Sequence, residues 1–324
     1  MSIQSKLLKS FSSLFLVGAC LSAQADYSNH ARTQEFIQEA VEEYNLDAEK
    51  VKHWLAQAEK KQSVLDAIAK PAERTIEWDR YQDIFLTEKR IADGKKFLVE
   101  YKDLLEQAEE KYGVEKEIIA AIIGVETFYG TRQGSYRVLD SLSTLAFDYP
   151  TRPLFWRELK AFFALAIEED LDLANIKGSY AGAMGYGQFI PTSYLMYAVD
   201  GDNDGKRDLL NNPTDAIFSV ANYFKRHGWK HGEPVTQPVT VKGNKYKDIV
   251  NDNLKPKWTA GELKKMGVKP SIKIDKDRPA NLIELQGKQG TEYWLGENNF
   301  YVITRYNHSR LYAMAVYQLS EALR

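Results

Sequence analysis

Between Lys116 and Phe128 the chain runs Ile118-Ile119-Ala120-Ala121-Ile122-Ile123-Gly124-Val125, with hardly a polar side chain on any face. A helix that is apolar all round is covered on every side. This segment therefore predicts a helix through the middle of a domain, with other elements wrapped around it. Glu126 closes the run, followed by Thr127-Phe128-Tyr129-Gly130. Desolvation at the end of so apolar an element disfavours the charged carboxylate and is expected to raise its pKa. A carboxylic acid that keeps its proton near neutral pH is what cleavage of a glycosidic bond needs, because the leaving oxygen takes up a proton as the bond breaks. Local sequence by itself favours the blander reading, a helix-end glutamate that points to water.

The wrapping elements are visible as amphipathic stretches. From Thr33 to Lys61, Phe36, Ile37, Val41, Tyr44, Leu46, Val51, Trp54 and Leu55 recur at helical spacing and predict two helices broken near Asn45. A loop is expected around Pro71 and Trp78, then helix from Thr87 to Tyr112, at Leu154–Glu169 and at Thr214–His227, the last bounded by Pro213 and Gly228. Between His231 and Tyr301 short runs of Val, Ile, Tyr and Trp punctuated by Pro and Gly predict a small β-rich insert, and Tyr312–Leu323 returns to helix. The fold class is mainly α with a small β-rich part (α+β). The divisions expected are a leader to residue 25, a helical domain over 26–112, a core over 113–232, the β-rich insert over 233–300, and a return to the core over 301–324.

Lys6 and Lys9 precede an uncharged stretch from Ser10 to Gln24, and Ala23-Gln24-Ala25 offers small residues to a signal peptidase, so an export signal cleaved after Ala25 is expected. Val17-Gly18-Ala19-Cys20 also resembles a bacterial lipobox, which would make Cys20 a lipidated first residue and an outer-membrane anchor. As the only cysteine, Cys20 cannot form an intrachain disulfide, which leaves stability to packing or a bound ion. The formal net charge of −2 argues against nucleic acid or an anionic membrane as an electrostatically driven partner.

Three further segments carry chemistry. In Ser179 to Pro191, three glycines within six residues let a ligand approach the backbone, and Gln188 offers a donor and an acceptor, although a structural turn explains the glycines equally well. The spacing fits neither a P-loop nor a dinucleotide fingerprint. Asp200, Asp202, Asp204 and Gly205 follow the spacing of a calcium loop, with the Lys206 carbonyl and Asp208 as further oxygens. Asn211 stands where the bidentate glutamate of a full EF-hand would be, and Asp215 is the candidate substitute, so a structural Ca2+ is expected. Asn298 to Tyr312 gathers aromatics, amides and Arg305, groups on which sugars stack and hydrogen-bond, although a core strand running into a helix start also accounts for Phe300 and Val302. The histidines show no zinc frame, and no Gly-x-Ser-x-Gly elbow is present.

Ile122 to Thr127, Ser179 to Pro191 and Arg305-Tyr306-Asn307-His308-Ser309, with Leu145 to Pro150 and Ser219 to Phe224 in the same order, resemble the lytic murein transglycosylase B family from about Trp78 to Met314. The resemblance implies a core like goose-type lysozyme, a flanking helical domain, a small β domain and a calcium loop within the core. It implies Glu126 as the single catalytic acid and base, Ser179, Gln188, Tyr306, Asn307 and Tyr312 along a glycan groove, and Arg152 and Tyr81 as further contacts. The chain departs from the family in carrying Thr151-Arg152 where close relatives have two arginines. The substrate implied is peptidoglycan, acted on in the periplasm by a monomer. The rivals are a lysozyme-like hydrolase guiding water with Asp140 or Asp148, a catalytically silent wall-binding module, and a calcium-regulated interaction protein.

Overall fold

The computed structural model describes residues 26–69, 76–149 and 151–324. The expected leader, Cys20 and Pro71 lie outside the described residues. Helix α1 (Thr33–Tyr44) ends where Asn45 turns left-handed at φ 53°, and α2 (Ala48–Gln57) starts from Asp47, whose side chain accepts from Lys50 N at 2.7 Å. This is the break expected near Asn45. Helix α3 (Gln62–Ala69) follows.

The expected loop at Trp78 is instead a helix, α4 (Trp78–Phe85), because Trp78, Tyr81 and Phe85 fall on one helical face and the first two are buried. The stretch to Tyr112 divides at Tyr101 into α5 (Glu88–Glu100) and α6 (Lys102–Tyr112), the latter stopped by Gly113. Helix α7 (Lys116–Thr127) is the buried axis the sequence predicts: Ile118 to Ile123 are at most 1% exposed. It packs along α14 (Arg310–Leu323) and against α5, α6 and α11 (Pro213–Arg226).

Helix α8 (Val138–Asp148) has no solvent-exposed face, being buried from Val138 to Phe147, and it packs on α9 (Pro153–Glu168). Helices α1 and α3 close over this pair. A two-stranded pairing of β1 (Tyr136–Arg137) with β2 (Lys177–Gly178) and the short α10 (Pro191–Tyr197) complete this half. One apolar core runs from Tyr27 to Leu323 across the boundary expected at residue 112.

The β-rich insert is an antiparallel sheet, in order β4 (Trp258–Thr259), β6 (Pro279–Gly287), β7 (Gly290–Gly296), β3 (Thr236–Val241) and β5 (Val268–Pro270). Helix α12 (Ala260–Lys265), started by a capping box between Thr259 and Glu262, sits against it. Alternation along β6 gives the sheet two apolar faces. Ala280 and Leu282 join a small second core, while Ile283 and Leu285 reach the helical body. The chain returns through α13 (Asn298–Tyr306), a helix where a core strand had been an alternative. Among the described residues no helix is long and apolar enough to cross a membrane.

Candidate active site

Glu126 lies in the last turn of α7, half-buried, and Tyr312 in the first turn of α14 donates its hydroxyl to Glu126 Oε1 at 2.5 Å. Because α7 and α14 pack lengthwise, a carboxyl at the end of one meets a phenol at the start of the other. Burial, and after it the Glu126 charge, push the Tyr312 phenol well above its usual range, so it stays a proton donor throughout the range in which an enzyme works. Burial and Glu126 act on Tyr306 in the same way.

The glycine-rich loop is brought to Glu126 by its sequence neighbour. Thr127 Oγ1 donates to Tyr186 O at 2.8 Å and accepts from Gly130 N at 2.9 Å, fastening the loop to the end of the buried helix. Tyr306 Oη donates to Gly187 O at 2.6 Å, and a side chain on Gly187 would stand 2.8 Å from that hydroxyl. Glycine is needed there for close approach. At Gly185 it is needed for the backbone, which turns at φ 70° against the Leu209 carbonyl.

The other expected groove residues are placed differently from one another. Ser179 Oγ accepts from the amides of Ala181 and Ala183 and shapes the turn. Gln188, itself left-handed at φ 50°, donates from Nε2 to the carbonyls of Gln133 and Gly185, so its Oε1 is the part left to accept from a ligand. Asn307 is half-buried at the end of α13. Tyr81 is only 2% exposed, packed between Trp78 and Phe85 and close enough to Tyr312 to add to its raised pKa. Arg152 is exposed at the N-cap of α9 and contributes no side-chain hydrogen bond or ion pair to the Glu126 cluster among the described residues.

The two carboxylates considered as water guides are otherwise engaged. Asp140 accepts from Glu59 N at 2.8 Å and pairs with Arg137 and Lys61. Asp148 accepts from Tyr27 Oη at 2.5 Å and from Lys60 Nζ at 2.6 Å. Both pin the amino-terminal segment to α8.

Sequence reasoning missed Thr127 and Tyr223. Tyr223 packs its ring 4.7 Å from that of Tyr306 and donates to Arg305 O at 2.6 Å, which fixes the end of α13. A hydroxyl inside an otherwise apolar run was the available signal for Thr127. Tyr223 gave none.

The acidic loop folds into a compact cluster of carboxylates. Ligand oxygens of Asp200, Asp202 and Asp204 lie within 4.8 Å of one another, a spread one Ca2+ spans with bonds of about 2.3–2.6 Å. Asp200 also accepts from the amides of Asn203, Asp204 and Gly205, which draw its pKa below the usual range against a desolvation that acts the other way. Lys206 N donates to Asp204. Asp215 is buried behind the cluster with its two oxygens on Gly201 N and Asp208 N, both at 2.7 Å, and burial raises its pKa. Its carboxylate holds the two ends of the loop together. Tyr186 N bonds to Leu209 O at 3.0 Å, so the acidic loop and the glycine-rich loop are braced against each other.

The transglycosylase SLT domain model matches residues 28–321. The chain belongs to the transglycosylase SLT family. It is 41% identical to the membrane-bound lytic murein transglycosylase B of Escherichia coli (strain K12) over 308 residues, 92% of this chain and 84% of that protein. Among solved structures, the catenated lytic transglycosylase SltB1 of Pseudomonas aeruginosa superposes with a TM-score of 0.88 at 45% identity, covering 92% of this chain and 98% of that one. The Escherichia coli lytic transglycosylase Slt35 in complex with calcium superposes with a TM-score of 0.84 at 41% identity, covering 93% and 95%. Within this transglycosylase SLT domain, Glu126 and its tyrosines come from the helical body, and the sheet stands beside them.

Proposed function

We propose that this chain is a lytic transglycosylase that cuts the β-1,4 bond between N-acetylmuramic acid and N-acetylglucosamine in peptidoglycan. The observation that carries the reading is the pairing of Glu126 with Tyr312 beside a glycine-rich loop, while Asp140 and Asp148 are committed to Tyr27, Glu59 and their lysine and arginine partners. Most glycosidases that use water employ two carboxylates across the bond. With one, the nucleophile is best supplied by the substrate.

In this mechanism Glu126 gives its proton to the bridging oxygen as the glycosidic bond breaks, leaving a cation-like muramyl ring. The carboxylate then takes the proton of the 6-hydroxyl of the same sugar, whose oxygen closes on the anomeric carbon. The products are a free 4-hydroxyl and a 1,6-anhydromuramyl end, with Glu126 protonated again. An oriented hydroxyl within the substrate has a very high effective concentration, roughly 10⁵ M or more, which lets it replace water. Tyr312 holds the carboxyl in place, Tyr306 and Gln188 border the glycan, and Ser179 with Gly187 keeps the loop close to it. Asn307 and Arg152 are assigned to the outer groove, and Tyr81 to its base.

A Ca2+ held by Asp200, Asp202 and Asp204, with the Lys206 carbonyl as a further oxygen, would supply rigidity to the loop behind the groove, whereas Asp215, expected as a ligand, fastens the ends of the loop through Gly201 N and Asp208 N instead. The curated relative is named as membrane-bound, which supports action on the periplasmic side, with Cys20 as the anchor or Ala25 as the cleavage site. Residues 113–232 and 301–324 form the catalytic body in this reading, and the protein works as a monomer on glycan strands.

The deciding experiment is mass spectrometry of digested sacculi. Anhydro ends are expected; products heavier by one water would replace this reading with hydrolysis. Intact sacculi with no turbidity loss would leave a binding module. Glu126→Gln is expected to keep fold and glycan binding and to lose cleavage by a factor of about 10²–10⁴.

A further inference from the structure

A groove of about 490 Å³ runs along β5, the edge strand of the sheet, a volume within the range of ligand sites. None of its lining residues belongs to the arrangement around Glu126. Its charged side chains are all of one sign: Lys242, Lys264, Lys269, Lys273 and Lys276 line it, with no carboxylate among them. These lysines come from separate segments that the main chain ties together. Lys242 N donates to Gly267 O at 2.9 Å, Gly267 N to Lys264 O at 3.1 Å, and Gly261 N to Lys276 O at 2.8 Å. Among the described residues only Lys276 of the five has a carboxylate partner, Asp277 at 4.0 Å. Glu262, close to Lys264 in sequence, is engaged by Thr259 N and Oγ1 in the capping box.

Edge strands are commonly blunted by lysine and proline, which accounts for Lys269 and Pro270. It does not account for Lys242, Lys264 and Lys276, which lie on other segments and converge on the same groove. The net charge of −2, which argues against an anionic partner for the chain as a whole, conceals twelve basic residues against nine acidic ones over 233–300. The rest of the lining is apolar. Ile272 is 66% exposed, and its backbone is fixed where Ile272 N donates to Oε1 of the buried Gln237 at 2.9 Å. A ligand that matches both parts has an anionic head for the lysines and carbon chains for Ile272 and Pro270. An acidic peptide fits less well, because β5 is three residues long and Pro270 has no N–H to offer a further strand. A phospholipid head with its first methylene groups fits both.

We propose that this groove binds an anionic phospholipid, with the phosphate among the lysines and the first carbons of the chains against Ile272 and Pro270. The site is independent of the peptidoglycan reading above and shares no residue with it. The test titrates the full chain by calorimetry with dihexanoylphosphatidylglycerol below its aggregation concentration. Dihexanoylphosphatidylcholine, inorganic phosphate and a polyglutamate peptide are the comparison ligands. Phosphatidylglycerol should bind at least about tenfold more tightly than each of these, equivalent to about 1.4 kcal/mol. Its affinity should fall as salt is raised. Lys269→Gln combined with Lys273→Gln should weaken it about tenfold, and Ile272→Ser about fivefold. Neither variant should alter the thermal midpoint of the free protein or its action on sacculi.

Equal affinity for phosphatidylglycerol and phosphatidylcholine, or an affinity the lysine variant leaves unchanged, overturns the proposal. Phosphate that binds as tightly as the lipid makes the groove a bare anion site and overturns it too, as does polyglutamate that binds as tightly, which would reassign the groove to an acidic protein segment. Lipid binding that is lost in the lysine variant and reduced in Ile272→Ser upholds it, whatever the chain does to sacculi.

Discussion

Tyr312 and Glu126 stand 186 positions apart in the chain and 2.5 Å apart in the fold, phenol hydroxyl to carboxyl oxygen. Tyr81 and Tyr306 lie close enough to Tyr312 to add to its raised pKa, behind burial and the Glu126 charge. Tyr312→Phe keeps the buried ring and removes only the donor. Cleavage of sacculi should fall about tenfold to a hundredfold. Thermal stability should drop by about 1 kcal/mol, the usual net worth of one hydrogen bond. A variant with wild-type kcat would show that the bond has no part in positioning Glu126.

Gly187→Ala tests the close approach of the loop. The added carbon would meet Tyr306 Oη at 2.8 Å, and that hydroxyl is tied to Gly187 O. Either the phenol or the loop has to yield, at a cost of about 1–3 kcal/mol. Activity should fall further than stability, since both partners border the glycan. Calorimetry beside a turbidity assay measures the two losses separately, and an unaltered rate would contradict the placement of this loop in the groove.

Calcium is expected to stabilise the fold without taking part in bond cleavage. After chelation, titration with Ca2+ should raise the thermal midpoint, by an amount corresponding to about 2.7 kcal/mol at a hundredfold excess over Kd. Asp202→Ala should abolish the rise. Equal midpoints with and without the ion in the wild type would dispose of the calcium site.

His227 supplies a pH dependence. Its ring stacks on Tyr223 at 4.0 Å, with Nδ1 2.7 Å from Tyr223 O, and burial pulls its pKa below the ordinary 6.5 although that backbone bond acts the other way. The folded protein therefore takes up the proton less readily than the unfolded chain. This contribution to stability is present above pH 6.5 and is lost as the pH falls through the folded-state value. His227→Phe retains the stack and should give a shallower decline in thermal midpoint on acidification from pH 7 to about 5. Identical declines in both proteins would remove His227 as the source.

The amino-acid order alone determined a good deal. Eight consecutive residues without a polar side chain, Ile118 to Val125, can only be interior, so α7 and the position of Glu126 at its end follow from desolvation whatever the rest does. The aspartate spacing likewise determined the acidic loop, because alternate side chains in a tight turn converge, and Asn45 marked a helix break because it tolerates the left-handed turn. The tertiary structure decided what these features meet. Periodicity does not reveal α8, where burial on all sides erases the amphipathic pattern, and the helix at Trp78 exists because α14 and β6 cover its aromatic face. Asp140 and Asp148 looked like spare carboxylates until Glu59, Lys60 and Tyr27, some 80 to 120 positions earlier, were brought onto them. Local sequence fixes which groups are costly to leave in water, but their partners are set by packing between distant segments, and it is that packing which gives Glu126 its tyrosine.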